Sequence, residues 1–172
     1  MSEHVSKQIR RGWERTAGHY AVDRPQVFQR FAARLVALLD PAPGQVILDV
    51  GAGPGLATLR AAKRVGPHGH VVGLDFARAM LIQLRTATAA TATASQGRVS
   101  AVQMDAERLG VPTARFDGAL CAFSLFQFVD MGRALTEMQR ALKPGGRVAL
   151  SNWGPGFVTP VARMQRDLFR EY

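Results

Sequence analysis

Residues 46–55 carry the strongest pattern in the chain and read Val46-Ile47-Leu48-Asp49-Val50-Gly51-Ala52-Gly53-Pro54-Gly55. A β-branched, apolar run leads into a segment with glycine at every second position, and a helix-favouring run from Leu56 follows. This order predicts a strand, a tight glycine turn and a helix. Glycine lets a ligand lie against bare backbone, and a helix N-terminus presents unpaired N–H groups to anionic groups. We therefore expect a ligand-binding turn after this strand.

Strand and helix patterns alternate from this stretch onward. Strands are predicted at 46–50, 70–75, 98–104, 117–123 and 146–151. Helices are predicted at 55–65, 77–91 and 130–142, and a Pro-Gly turn at 142–147 precedes the last strand. This alternation predicts an α/β fold with a doubly wound, mostly parallel sheet. In such a sheet the ligand lies beyond the carboxyl ends of the strands, so the residues after each strand are the candidate site residues.

Two helices are predicted before the first strand. The first has an apolar stripe at helical spacing, made of Val5, Ile9, Trp13, Ala17 and Tyr20. The second is expected to begin near Pro25, with Asp23 near its cap. Its expected apolar face consists of Val27, Phe28, Phe31, Leu35, Leu38 and Leu39.

The chain has 172 residues, a formal net charge of +9 and a single cysteine. One domain is expected at this length. The arginines are scattered, which favours solvated basic faces, while a nucleic-acid surface is the alternative. One cysteine excludes an internal disulfide and suits a reducing compartment, so we expect a cytoplasmic protein. No segment is predicted to span a membrane, and the histidines lack metal-ligand spacing, so no metal is expected.

Two acidic residues at strand ends are candidate cofactor ligands. Asp75 ends the second predicted strand, and its carboxylate can accept two hydrogen bonds from ribose hydroxyls. The alternative is that Asp75 caps the helix that begins at residue 77. Asp105 ends the third predicted strand, where it can accept from an adenine amine while the N–H of Ala106 donates to the ring. The alternative is again a cap, for a short turn at 106–109.

The fourth predicted strand ends at Phe123 and faces the same crevice. A backbone carbonyl near Phe123 or Ser124 can hold a cationic amine, and the Phe-Gln-Phe sequence at 126–128 can line an acceptor pocket. Buried aromatic packing explains these phenylalanines equally well. Cys121 lies mid-strand among apolar neighbours, which favours a buried structural thiol over a nucleophile.

The glycine spacing and the strand-end acids together resemble a known family. The spacing is G-x-G-x-G with Asp49 two residues before the first glycine, whereas the dinucleotide fingerprint needs a glycine where Leu56 stands. In order and spacing, the chain resembles the class I S-adenosylmethionine (SAM) dependent methyltransferases at 46–58, 70–75, 99–106 and 142–151. It looks most like the ubiquinone and menaquinone biosynthesis methyltransferases and their small-molecule relatives. The resemblance implies a Rossmann-like fold, SAM as cofactor and a small-molecule methyl acceptor.

The resemblance also implies roles for individual residues. It puts the methionine part of SAM on the glycine turn, the ribose on Asp75 and the adenine on Asp105. The full set of expected cofactor-binding residues is Asp49, Gly51, Gly53, Gly55, Asp75, Phe76, Asp105, Ala106, Phe123 and Tyr20. Methyl transfer is an in-line displacement that depends mainly on positioning, so no catalytic acid is required. His19 is the one candidate base, and a surface histidine is the alternative.

The resemblance divides the chain into three parts. Residues 1–43 correspond to a helical lid, 44–158 to the SAM-binding α/β core, and 159–172 to the start of a C-terminal helix. The family has a seven-stranded sheet and the patterns here supply five, so we expect a fold truncated after the fifth strand. The bare edge of that strand then favours self-association.

Two other functions stay open at this point. A nucleic-acid methyltransferase is compatible with the charge, although the fourth strand end lacks the Asn/Asp-Pro-Pro-aromatic motif of amino-methylating enzymes. A non-catalytic SAM-fold fragment that binds cofactor or a protein partner is the other alternative. The sequence does not identify the acceptor or the atom that is methylated.

Overall fold

The computed structural model describes residues 2–22 and 26–154. Helices α1 (Ser2–Val22) and α2 (Gln26–Leu39) precede the sheet. The strands are β1 (Val46–Val50), β2 (His70–Asp75), β3 (Arg98–Gln103), β4 (Phe116–Ala122) and β5 (Leu142–Ser151). The remaining helices are α3 (Leu56–Val65), α4 (Arg78–Thr91) and α5 (Met131–Ala141), with a single 3₁₀ turn at Leu125–Gln127.

The five strands form one parallel sheet in the order β3-β2-β1-β4-β5. The chain moves outward from β1 to β3 and then returns to β4, so its direction of winding reverses between β1 and β4. A reversal of this kind opens a crevice at the carboxyl ends of the strands. The predicted α/β fold with a doubly wound parallel sheet is confirmed, and the fold places a ligand crevice beside the glycine turn.

Helices cover both faces of the sheet, which explains the nearly continuous apolar strands. Helices α2 and α3 pack on one face, against Ile47 and Leu120. Helix α5 packs on the other face, where Met138 joins a core cluster with Leu48 and Cys121. Within the described part of the chain, no helix combines the length and apolar character that a membrane span needs.

The predicted element boundaries need one substantial correction, at β5. This strand begins at Leu142, four residues before the predicted start at 146. Leu142 pairs with Phe116 and Arg147 pairs with Gly118, so the residues between them bulge out of the ladder. Gly145 lies in this bulge with φ of 80°. The Pro-Gly turn therefore exists, but as an irregularity inside the strand.

The predicted apolar face of α2 is partly wrong. Its buried residues are Ala32, Leu35, Val36 and Leu39. Val27, Phe31 and Leu38 are 44%, 41% and 57% exposed. The buried face is therefore displaced around the helix, and the Phe31 ring packs against Phe123 instead. Pro25 and Asp23 lie outside the described residues, as does the C-terminal helix predicted at 159–172.

Candidate functional site

A cavity lies at the carboxyl ends of the strands, beside the ends of the paired strands β1 and β4. The space between its lining residues, open solvent at its mouth included, is about 1050 Å³. Eight of the ten predicted cofactor-binding residues line it, namely Gly51, Gly53, Asp75, Phe76, Asp105, Ala106, Phe123 and Tyr20. Asp49 and Gly55 are outside the lining. The fold thus brings together residues from four strand ends and from α1.

The turn after β1 requires glycine because it passes close to the end of β4. Gly51 has φ of 68°, and a Cβ there would lie 2.4 Å from the Cβ and Oγ atoms of Ser124. Ser124 Oγ donates to the carbonyl of Val50 at 3.0 Å, which ties the two strand ends together. Gly53 has φ of 53°, yet a Cβ there would have no heavy atom within 4 Å. Because Gly53 lines the cavity and has no side chain, the space beside its backbone is open to a ligand.

Asp49 precedes this turn at the end of β1 and is absent from the cavity lining. Its side chain is fully buried, and its Oδ2 atom accepts a hydrogen bond from Thr58 Oγ1 at 2.6 Å. The Oδ1 atom has no partner among the described residues. Burial raises the pKa of Asp49 to about 6. Asp49 therefore ties β1 to α3 directly behind the glycine turn.

Asp75 joins the glycine turn to the start of α4. Its Oδ2 atom accepts from the N–H of Gly53 at 3.0 Å, and its Oδ1 atom accepts from the N–H of Ala77 at 2.9 Å. The side chain is 8% exposed, and burial raises its pKa despite these hydrogen bonds. The alternative of a helix cap is thus present in the structure. A carboxylate has about four acceptor positions, so Asp75 can still accept from a ligand.

Asp105 also caps a turn at the mouth of the cavity. Its Oδ1 atom accepts from the N–H of Glu107 at 2.9 Å. The Glu107 carboxylate in turn accepts from the N–H groups of Val129 and Asp130 at 2.8 and 3.1 Å. The predicted turn at 106–109 is therefore held in place on both sides, and its backbone is fixed where Ala106 faces the cavity.

An aromatic cluster forms the opposite side of the site. Phe123 has a left-handed backbone with φ of 53°, which is strained for a bulky residue. Its ring packs against Phe28, Phe31 and Trp153, with ring centroids 5.7, 5.2 and 4.6 Å apart. The N–H of Phe123 donates to Ser151 of β5 at 3.1 Å. Strain of this kind persists only where the surroundings enforce it, and such residues cluster at binding sites.

Helix α1 supplies a further wall of the cavity through Ser6, Trp13 and Tyr20. The Trp13 and Tyr20 rings meet edge to face, with centroids 5.5 Å apart. The predicted position of Tyr20 beside the cavity therefore agrees with the structure. The side chain of His19 lies outside the described part, so its proposed role as a base stays a prediction.

The cavity is acidic even though the chain is basic. Its described lining contains the carboxylates of Asp75, Asp105 and Glu107 and no Lys, Arg or His. Among the described residues, no group of three or more His, Cys, Asp or Glu side chains could hold a metal ion. Cys121 is fully buried, and burial raises its pKa to about 11, which confirms the predicted structural thiol.

These residues fit SAM, which carries a sulfonium and an ammonium group. An acidic lining without basic side chains favours a cation, and the open space at Gly53 admits a ligand against the backbone. Buried carboxylate oxygens at Asp75 suit hydroxyl donors. Sequence reasoning missed Phe28 and Glu107 as site residues, and it predicted a role for Ser124 only through its backbone carbonyl. The Ser124 hydroxyl and the Glu107 carboxylate form hydrogen bonds with backbone groups distant in sequence, and no local sequence pattern predicts such contacts.

Comparison with known proteins gives a consistent result. A family model described as a methyltransferase domain matches residues 47–146. The chain is 37% identical over 139 residues to nocamycin O-methyltransferase of Saccharothrix syringae, covering 81% of this chain and 49% of that protein. It is 35% identical over 122 residues to the ubiquinone/menaquinone biosynthesis C-methyltransferase UbiE of Vibrio cholerae, covering 71% and 46%. The chain thus spans about half the length of these curated relatives.

A solved structure supports the fold independently. The crystal structure of a SAM-dependent methyltransferase from Aquifex aeolicus superposes with a TM-score of 0.68. The two chains are 22% identical, and the match covers 77% of this chain and 70% of the other. At this level of identity the likeness concerns the fold.

Proposed function

Because the chain belongs to the methyltransferase domain family, whose cofactor is SAM, we propose that it transfers the methyl group of SAM to a small-molecule acceptor. The observation that carries this proposal is the convergence of a glycine turn, three carboxylates and an aromatic wall on one cavity. The names of the relatives support the small-molecule part, since they refer to nocamycin and to ubiquinone and menaquinone biosynthesis.

The carboxylate side of the cavity is the part that we assign to the cofactor. Asp75 would accept from the ribose hydroxyls, while the side chain of Asp105 and the N–H of Ala106 would bind the adenine. The backbone of Gly51 and Gly53 would carry the methionine part. Bound SAM supplies an activated sulfonium methyl group, and the protein supplies its orientation. Because Asp75 already holds the Gly53 amide, ligand binding and turn geometry are coupled at this residue.

The aromatic side is the part that we assign to the acceptor. Phe28, Phe123, Phe128 and Gln127 line it and provide apolar surface with one amide to orient a polar group. An acceptor with a strongly anionic group finds no basic partner in the described lining, so we expect an uncharged acceptor. The described part of this lining contains no histidine, and positioning supplies much of the rate of such a displacement. We therefore expect an acceptor whose nucleophilic atom loses its proton readily.

Methyl transfer from radiolabelled SAM tests the proposal. The chain is incubated with a panel of phenols, enols and hydroxyquinones, with a short RNA and a short DNA duplex as further acceptors. Titration calorimetry with S-adenosylhomocysteine (SAH) is run in parallel. Label in a small acceptor supports the proposal. Label in nucleic acid alone, or SAH binding without any turnover on the panel, would contradict it.

A further inference from the structure

The N-terminus of α4 is capped by a residue from another helix. Its own N-cap position is Ala77, which offers no side-chain hydrogen bond, and the first turn of α4 contains no acidic residue. The N–H groups of Arg78 and Ala79 instead donate to the two carboxylate oxygens of Glu14, at 2.7 and 2.9 Å. Glu14 lies on α1, more than sixty residues earlier in the chain. A carboxylate at this position also interacts favourably with the positive end of the helix dipole.

Helix α1 packs along α4 beside this contact. Ala17 is 2% exposed and packs with Ala77 and Met80. The side-chain amide of Gln83 on α4 donates to the backbone carbonyl of Ala17. Glu14, Ala17 and the Gln83 contact thus lie on the side of α1 that faces α4.

The same helix carries part of the cavity wall. Trp13 precedes Glu14 directly, and Trp13 and Tyr20 both line the cavity and contact each other. Glu14 has no place in that lining, yet its attachment to α4 fixes the helix that does. Because hydrogen bonds to a charged group are stronger than neutral ones, the two contacts of the Glu14 carboxylate are a strong polar attachment of α1 to α4.

We propose that Glu14 is a positioning residue, which latches α1 onto the N-terminus of α4 and so holds Trp13 and Tyr20 as a wall of the cofactor cavity. The role of the latch in cofactor retention rests on the proposed function, whereas the latch itself does not. Opening the cavity on this side requires α1 to leave α4. Weakening the latch should therefore speed the release of a bound cofactor.

The test compares Glu14→Gln with Asp40→Asn. In Glu14→Gln the side chain keeps its shape, and its amide oxygen can still accept from one of the two backbone N–H groups. Its NH₂ group replaces the second oxygen and faces the other N–H, so that hydrogen bond is lost. Asp40→Asn makes the same chemical and charge change at an exposed carboxylate that pairs with Arg64. Both are made in a Trp153→Phe background, so that Trp13 is the only tryptophan left. Acrylamide quenching of Trp13 is measured without ligand, and the SAH dissociation rate is measured by stopped flow.

The latch predicts greater quenching of Trp13 and about tenfold faster SAH release in Glu14→Gln, as expected when a charge-assisted contact is lost. Asp40→Asn should match the background protein in both measurements. A lower melting temperature for Glu14→Gln with unchanged quenching and release, measured well below the transition, would overturn the proposal and leave Glu14 as a helix cap alone. If the background protein binds no SAH, the proposed function fails, and the quenching measurement still decides the latch.

Discussion

The Gly53→Ala substitution, compared with a control glycine, distinguishes an effect on ligand binding from the strain that alanine causes in a left-handed turn. Gly53 has φ of 53°, and an added Cβ would meet no protein atom within 4 Å. Because Gly53 lines the cavity, we expect the new methyl group to occupy space that the cofactor needs. Gly44 provides a matched control, because it has φ of 84°, equally open surroundings and no place in the cavity lining.

The two substitutions should cost similar amounts of stability. Alanine in the left-handed region costs about 1–2 kcal/mol, and the loss of chain freedom in the unfolded state offsets roughly 0.4–1 kcal/mol of this. We expect each variant to lose about 1 kcal/mol, which lowers the melting temperature of a domain of this size by about 2–4 °C. A methyl group forced into a packed contact costs about 1–3 kcal/mol, so Gly53→Ala should weaken SAH binding by roughly 5- to 150-fold.

Calorimetric titration with SAH and thermal melts of both variants provide the test. Gly44→Ala should bind SAH like the wild type while melting at a lower temperature. Gly53→Ala should show the same change in melting temperature together with weaker binding. Equal SAH affinity in Gly53→Ala and the wild type would refute the assignment of the cofactor to this turn. A loss of affinity in Gly44→Ala would show that general destabilisation explains the effect.

Other substitutions test the remaining parts of the account. Asp75→Asn should weaken SAH binding by about 2 kcal/mol. It should also lower the melting temperature, because the new NH₂ group faces one of the two backbone N–H groups that Asp75 now accepts from. A change in melting temperature without a change in binding would show that Asp75 is only a cap. Burial raises the pKa of Asp49 to about 6, so the folded state keeps a proton that the unfolded chain releases. The wild type should therefore lose stability relative to Asp49→Asn as the pH rises from about 4 to 7, and a constant difference in urea midpoint would contradict this. Cys121 should resist a disulfide reagent until urea unfolds the chain, since its thiol is buried with a pKa raised to about 11, and fast native labelling would count against it. Val148 and Leu150 on β5 are 37% and 44% exposed, so Leu150→Lys should reduce self-association in sedimentation experiments, unless the wild type is already monomeric at the highest concentration reached.

Much of the fold follows from local sequence patterns. The apolar runs at 46–50 and 70–75 predict β1 and β2 with correct bounds, because a parallel strand covered on both faces is a continuous apolar run. The predicted start of β5 was wrong because Pro144 and Gly145 form a bulge that remains within the ladder. The predicted face of α2 was partly wrong because tertiary packing buries Ala32 and Val36, while the half-exposed Phe31 packs its ring against Phe123.

The sequence predicts only those site residues whose role depends on the local backbone. Gly51, Gly53 and Asp75 are recognisable because glycine spacing predicts a tight turn and an acidic residue at a strand end predicts a ligand contact. Glu14 was missed because its carboxylate accepts from backbone N–H groups more than sixty residues away. Ser124 was predicted only through its backbone carbonyl, because no local pattern predicts the hydrogen bond from its hydroxyl to Val50. The contact of Asp49 with the cofactor stays a prediction, and in the structure this residue is fully buried and bonded to Thr58 of α3.

Equilibrium dialysis with radiolabelled SAM tests the central claim most directly, namely that the cavity beside the glycine turn binds this cofactor. The account predicts saturable binding of one SAM per chain, displacement by SAH but not by NAD, and marked weakening in Gly53→Ala. Absence of saturable SAM binding, or binding of NAD that SAH does not displace, would contradict it.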